Sequence, residues 1–342
     1  MRSTGKAIAA AILLAGFAVP AMAQEIELKL SHFLPPGHGI QRDWLGPWAE
    51  DLTKRTNGKV KVTIYPAGSA FGNPARQLEQ AVSGVVDIAH GLRGLPAGRF
   101  PRMGIIEFPF LVQTANAASR TLWDLYPKYF AQEFPPTVKV LALHAHNAGL
   151  IHTRDKQVKT MDDLKGLRIR SPSPQINAML QQLGATPVGL PPGEVYENLQ
   201  RGVIDGAVFP WDPIYSFRLF EVTKYHLDAR SYTASFYFVM NKKKYDSLPA
   251  DVRKAIDDTT GAALTEKFGD WWNQWDAPGL EAARNKGNVI SSLSNAERNR
   301  WREALKPTTE KLLDDLEAHG VKDARAIYRD MQQHIAKYEG KS

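Results

Sequence analysis

The chain of 342 residues contains no cysteine. That excludes disulfides, and it excludes a lipid-modified cysteine at the mature N-terminus. Beyond its first two dozen residues it has no apolar run approaching the ~20 residues that a membrane-spanning helix needs. Fixed-period repeats and low-complexity tracts are absent. Lys and Arg are interspersed with Asp and Glu, so there is no basic stripe with interleaved aromatics of the kind that binds nucleic acid. H-E-x-x-H, G-x-S-x-G and the Walker A pattern are missing, and Gly37-His38-Gly39 lacks the third glycine of a dinucleotide fingerprint. Catalysis has no nucleophile–base constellation to rest on. The chain reads as a binding protein without a cofactor, not as an enzyme.

What is present begins with a leader. Arg2 and Lys6 precede an apolar run from Ala7 to Val19, and Ala21-Met22-Ala23 follows as an A-x-A cleavage signal. Residues 1–23 therefore read as a signal peptide cleaved near Ala23, and a bacterial periplasm fits the exported product. The formal net charge is +7. Loss of Arg2 and Lys6 removes two positive charges and leaves a mildly basic surface, suited to anionic solutes. With 43% hydrophobic and 23% charged residues the composition is ordinary, enough for a core and two domains.

Hydrophobic periodicity supplies the order of elements. Glu25 to Ser31 alternates as a strand. His32 to Gly39 is its exit loop, and Ile40 to Thr56 has helical spacing. Lys59 to Tyr65 is a second strand, Gln77 to Ser83 a helix, and Val85 to His90 a buried-type strand leaving through Gly91-Leu92-Arg93-Gly94. Such β-α-β-α-β order argues for a parallel sheet covered by helices. Ala115 to Phe130 is helical and Lys139 to His144 a further strand. A second β-α-β-α-β unit runs from Asp162 to Trp211. Its first strand ends in Arg170 and its last in Phe209-Pro210-Trp211. Ligands of open α/β sheets sit outside the carboxyl ends of strands, so a cation and an aromatic plane are expected in one crevice. Ser231 to Asn241 is another strand. Helical spacing then runs from Ser247 to Asn285, too long for one lobe, and Asn295 to Tyr338 is helical and charged.

Several of these segments resemble the TRAP-transporter solute-binding proteins, the DctP family. They are Asp162 to Pro172 (DDLKGLRIRSP), Leu183 to Val188 (LGATPV) and Glu194 to Gly206 (EVYENLQRGVIDG). Gly84 to Ala89, Phe108-Pro109-Phe110 and Asn241 to Pro249 also match, in order, across nearly the whole mature chain. The resemblance implies an α/β, two-lobed periplasmic binding protein with crossing strands and a long helix spanning both lobes. It implies that the arginine matching Arg170 pairs with the solute's carboxylate, and that two integral membrane permease components receive the solute. Many members carry a second arginine on the strand opening the second lobe. Here Leu150 stands at that place, which favours a monocarboxylate with an apolar or aromatic body.

Expected boundaries are residues 24–147 with 236–275 for the first lobe, and 148–235 with 276–342 for the second, in a monomer. The expected ligand-binding residues are Arg170, Trp211, Phe209, Phe236, Tyr232, Asn147, His32, Phe33, Arg93 and His38. For the aromatics the competing role is core packing, for the histidines loop capping, and for the arginines a surface ion pair. Arg168 is read as structural. His144-Ala145-His146 has metal-like spacing but no acidic partner. Two other functions stay open: a binding protein of an ABC importer or chemoreceptor, and a periplasmic hydrolase or metal enzyme using His144 and His146.

Overall fold

The computed structural model describes residues 25–340, so the leader and its cleavage point lie outside the described residues. In chain order the strands are β1 (Ile26–His32), β2 (Val60–Tyr65), β3 (Ile88–Leu92), β4 (Val138–Ala145), β5 (Leu150–Thr153), β6 (Arg168–Ser171), β7 (Thr186–Gly189), β8 (Gly206–Phe209), β9 (Tyr225–Asp228), β10 (Ser235–Asn241) and β11 (Val289–Ser292). They form two sheets, ordered β2-β1-β3-β10-β4 and β11-β9-β5-β8-β6-β7. In the first, β1 runs parallel to β2 and β3, as the β-α-β-α-β pattern requires. In the second, β6 runs parallel to β7 and β8. Each sheet forms the middle layer of one lobe.

The lobes exchange strands. β4 belongs to the first sheet and β5 to the second, while β9 belongs to the second and β10 to the first. β10 lies antiparallel between β3 and β4. All seven of its residues are buried, as the continuous apolar and aromatic run Phe236 to Met240 demands of a strand covered on both faces. The two crossings run side by side. Gly149 N–H donates to the Tyr232 carbonyl at 2.7 Å, and His146 N–H to the Ala234 carbonyl at 3.3 Å.

The helix expected over Ser247 to Asn285 is divided into Ala250–Asp258, Ala262–Thr265 and Phe268–Asn285. Thr259 and Thr260 turn their hydroxyls back onto the Ile256 carbonyl. Gly261 N–H then leaves the helix to bond the Leu141 carbonyl of β4 at 2.6 Å. Only the last piece spans the lobes, and Pro278 sits inside it without ending it. The Phe268 ring stacks on His144 of the first sheet, centroids 4.1 Å apart. At Gly279 a Cβ would lie 1.9 Å from the Trp211 carbonyl oxygen of the second lobe, so the approach is open only to glycine.

The C-terminal region forms two helices, Asn295–Ala318 and Ala324–Glu339. The second packs on helix Ala115–Leu125, and its Ile327, Met331 and Ile335 enter the first lobe's core. Assignment of all of residues 276–342 to the second lobe is therefore corrected. An apolar stripe at spacings of four was hidden among the charges of this segment.

Candidate functional site

Arg170 occupies the third position of β6, paired in register with Ala207 of β8. Its neighbour on the same face, Arg168, lies at the strand's exposed start and is held by Asp205 through bonds of 2.9 and 2.7 Å. Arg170 itself is only 1% exposed. Its Nε donates to the Leu190 carbonyl at 3.0 Å and its Nη1 to the Val208 carbonyl at 3.3 Å. The guanidinium carbon lies 4.2 Å from the centre of the Phe209 ring. Nη2 has no partner. Burial lowers the pKa to about 10, which still leaves the group cationic at neutral pH. A buried cation without a matching anion is costly.

The guanidinium borders a cavity lined from both lobes. The first lobe supplies Phe33, Leu34, His38, Ile40 and Leu92. The second supplies Arg170, Val208, Phe209, Phe217 and four prolines, Pro172, Pro192, Pro210 and Pro213. His146, Tyr232, Ala234 and Phe236 come from the crossings and β10, and Trp272 from the spanning helix. The space open to the centres of water-sized atoms is about 40 Å³. One water needs ~10–15 Å³ on that measure, so the enclosed space is about that of three waters. Aromatic rings dominate the wall, with Phe236 stacked on Trp272 at 5.9 Å and Phe33 on His90 at 5.9 Å. Prolines supply no backbone N–H. Among the lining side chains Arg170 is the one fixed cation.

The other expected residues divide. Phe209, Phe33, Tyr232 and Phe236 line the cavity, as does His38. His38, however, has no nitrogen left for a solute: Nδ1 accepts from Ile40 N–H at 3.1 Å, and Nε2 donates to Asp212 at 2.6 Å. Trp211 is not part of the wall. Its ring packs against His152 and His226, centroids 5.4 and 5.1 Å away, inside the second lobe. His32 closes its own loop, bonding Gln41 at 2.7 Å and accepting from Leu34 N–H. Arg93, as deeply buried as Arg170, is taken by Glu107 in a two-pronged pair and by Gln175 at 3.0 Å. Asn147 stands at the crossing, accepting from Ala115 N–H and donating to Asn273 and Asp276. These four side chains are placed by structure rather than by the cavity.

His146 and Trp272 are wall residues absent from the expected set. His146 donates from Nδ1 to the Asn147 carbonyl and accepts at Nε2 from Ala234 N–H. Burial pushes its pKa down to about 4, so a neutral ring meets the cavity. Its neighbour His144 is engaged by His90 and Trp272. Among the described residues no group of three or more His, Cys, Asp or Glu is placed to hold a metal ion. Leu150 is buried against the cluster that contains Phe209, so no cation enters from that strand position.

Residues 30–315 match the family described as bacterial extracellular solute-binding protein, family 7. A TRAP solute-binding protein from Rhodoferax ferrireducens T118, solved with copurified benzoate, is 35% identical, with a TM-score of 0.88 over 92% of this chain and 99% of that one. A marine-metagenome TRAP solute-binding protein from an unidentified microbe, specific for aromatic acids and solved with 3-hydroxybenzoate, is 36% identical, with a TM-score of 0.86 and the same coverage. The C4-dicarboxylate-binding periplasmic protein of Rhodobacter capsulatus is 25% identical across 95% of this chain and 98% of its own.

Proposed function

The chain belongs to family 7 of the bacterial extracellular solute-binding proteins, the solute-binding components of TRAP transporters, and from that premise we propose that it captures a compact aromatic monocarboxylate. The carboxylate docks on Arg170 and the ring lies against Phe209, Phe33, Phe236 and Trp272. The observation that carries this reading is the buried Arg170 guanidinium, unpaired at Nη2 and bordering a largely apolar cavity. Benzoate and 3-hydroxybenzoate in the two solved relatives support the same ligand class. The leader is removed near Ala23, and the mature protein works in the periplasm.

The chemistry follows from charge and enclosure. With the lobes apart, water solvates Arg170 and an acid enters. The Arg–carboxylate contact strengthens as water is expelled, because charge interactions grow in a low dielectric. Rotation about the two crossings closes the cleft, and the closed form presents both lobes to two membrane permease components.

Thermal melts with and without benzoate test the reading. Binding to the native state alone raises the melting temperature through linkage. Arg170→Lys is expected to lose most of that shift, since an ammonium cannot reproduce the planar fork. A full shift in that variant would refute the role of Arg170.

A further inference from the structure

Resting on the aromatic-acid reading, we propose that Tyr232 is a second carboxylate ligand, its Oη donating to one oxygen while Arg170 Nη2 donates to the other. The argument comes from what the cavity leaves unspent. His38 and His146 have both ring nitrogens bonded, and Trp272 Nε1 donates to His144 at 3.4 Å. Two side-chain polar atoms of the wall remain without a partner, Arg170 Nη2 and Tyr232 Oη. Tyr232 is 1% exposed, so bulk solvent does not reach it. Burial raises its pKa well above the ordinary value, with the Arg170 charge opposing, and the phenol keeps its hydrogen. Both donors border the same cavity, and a carboxylate, one acceptor group with two oxygens, can serve them together.

The backbone fixes where the hydroxyl stands. The Tyr232 carbonyl accepts from Gly149 N–H at 2.7 Å, which ties one crossing to the other. A Cβ at Gly149 would lie 2.2 Å from a carbon of the Tyr232 ring, so the ring rests on bare backbone. The carboxylate is thereby bonded at the point where the lobes are joined, and the remainder of the solute faces apolar wall.

Calorimetric titration with benzoate and ligand-free melts on the wild type, Tyr232→Phe and Arg170→Gln test this. Tyr232→Phe should weaken benzoate binding about tenfold or more, the loss expected for a hydrogen bond to a charged group. The same change should leave the ligand-free melting temperature unchanged or higher, because the hydroxyl it deletes is buried and unpaired. A lower ligand-free melting temperature marks a structural tyrosine and overturns the proposal. Unchanged affinity in Tyr232→Phe, with binding lost in Arg170→Gln, overturns it while leaving the proposed function intact. Unchanged affinity in Arg170→Gln, or no benzoate binding by the wild type, overturns the carboxylate site and this inference together.

Discussion

His38, in the loop after β1 of the first lobe, donates from Nε2 to Asp212 of the second lobe at 2.6 Å, and both side chains are buried. Asp212 N–H in turn donates to Asp276 on the spanning helix at 2.9 Å. First lobe, second lobe and helix thus meet in one chain of bonds beside the cavity. Asp212→Ala leaves the His38 donor buried and unpaired, at a cost of about 1–3 kcal/mol. Denaturant unfolding should register that loss, and titration should show weaker benzoate binding because the joined arrangement of the lobes is less favoured. Wild-type values in both measurements would mean that the bond is idle.

Arg93 and Arg170 are buried alike but bound to different fates. Glu107 accepts from Arg93 and also from Ser235 N–H and Oγ, locking β10 to its neighbours. Removing one partner of a buried pair strands the other charge, with an expected cost of about 3–5 kcal/mol. Glu107→Ala should therefore lower the unfolding midpoint severely. A loss under 1 kcal/mol would contradict the assignment of Arg93 to structure.

Acid should destabilise the protein. Burial holds His32, His146 and His226 down to about 4, and lowers His90, His144 and His152 as well. Between about pH 4 and 6.5 the unfolded chain takes up protons that these rings refuse when folded. Their contribution is present above pH 6.5 and lost as pH falls. Asp276 and Glu133, pushed up by burial to about 7, act in the opposite sense: the folded state keeps protons that the unfolded chain has released, a contribution lost as pH rises toward 7. Six histidines outweigh two carboxyls, each unbalanced proton contributing up to ~1.4 kcal/mol per pH unit. Melting temperature should drop between pH 6.5 and 4.5. Asp276→Asn should gain on the wild type as pH rises from 5 to 8. A wild type that melts higher at pH 4.5 than at pH 6.5 would contradict the neutral-histidine assignment.

Dicarboxylates should bind poorly. With Leu150 on β5 and a single fixed cation in the wall, a second carboxylate would be buried without a counter-charge, which costs several kcal/mol. Succinate is expected to bind at least a hundredfold more weakly than benzoate in competition titration. Equal affinities would require a second anion contact that the cavity does not contain among its lining side chains.

Much of this was legible in the residues. Period-two and period-3.6 patterns located β1, β2, helix Gln77–Ser83 and β6 within a residue. Arg170 stood out because a strand-end arginine followed by Ser171-Pro172 faces a crevice. Spatial pairing was not legible. Arg93 sits at a strand end like Arg170, and nothing local announced that Glu107, fourteen residues on, would claim it. Trp211 sits at a strand end like Phe209, but its ring belongs to the His152–His226 cluster formed by β5 and β9. His146 and Trp272 escaped notice because one read as half of a metal motif and the other lay within the long helical spacing from Ser247 to Asn285, while the fold turned both toward the same space.

The place of β10 has a consequence for how the polypeptide acquires its shape. It is the interior strand that joins β4 to the rest of the first sheet, and it lies beyond the whole run from β5 to β9. Until residue 241 is available, β4 has no sheet to join, whatever the 137 residues before β4 have done. The first lobe therefore cannot be completed in N-to-C order. An N-terminal fragment ending before Ser235 would leave the edges of β3 and β4 unpaired and open to misassociation, and a chain threaded outward from its N-terminus closes its first sheet only after strands β5 to β9 of the second have emerged.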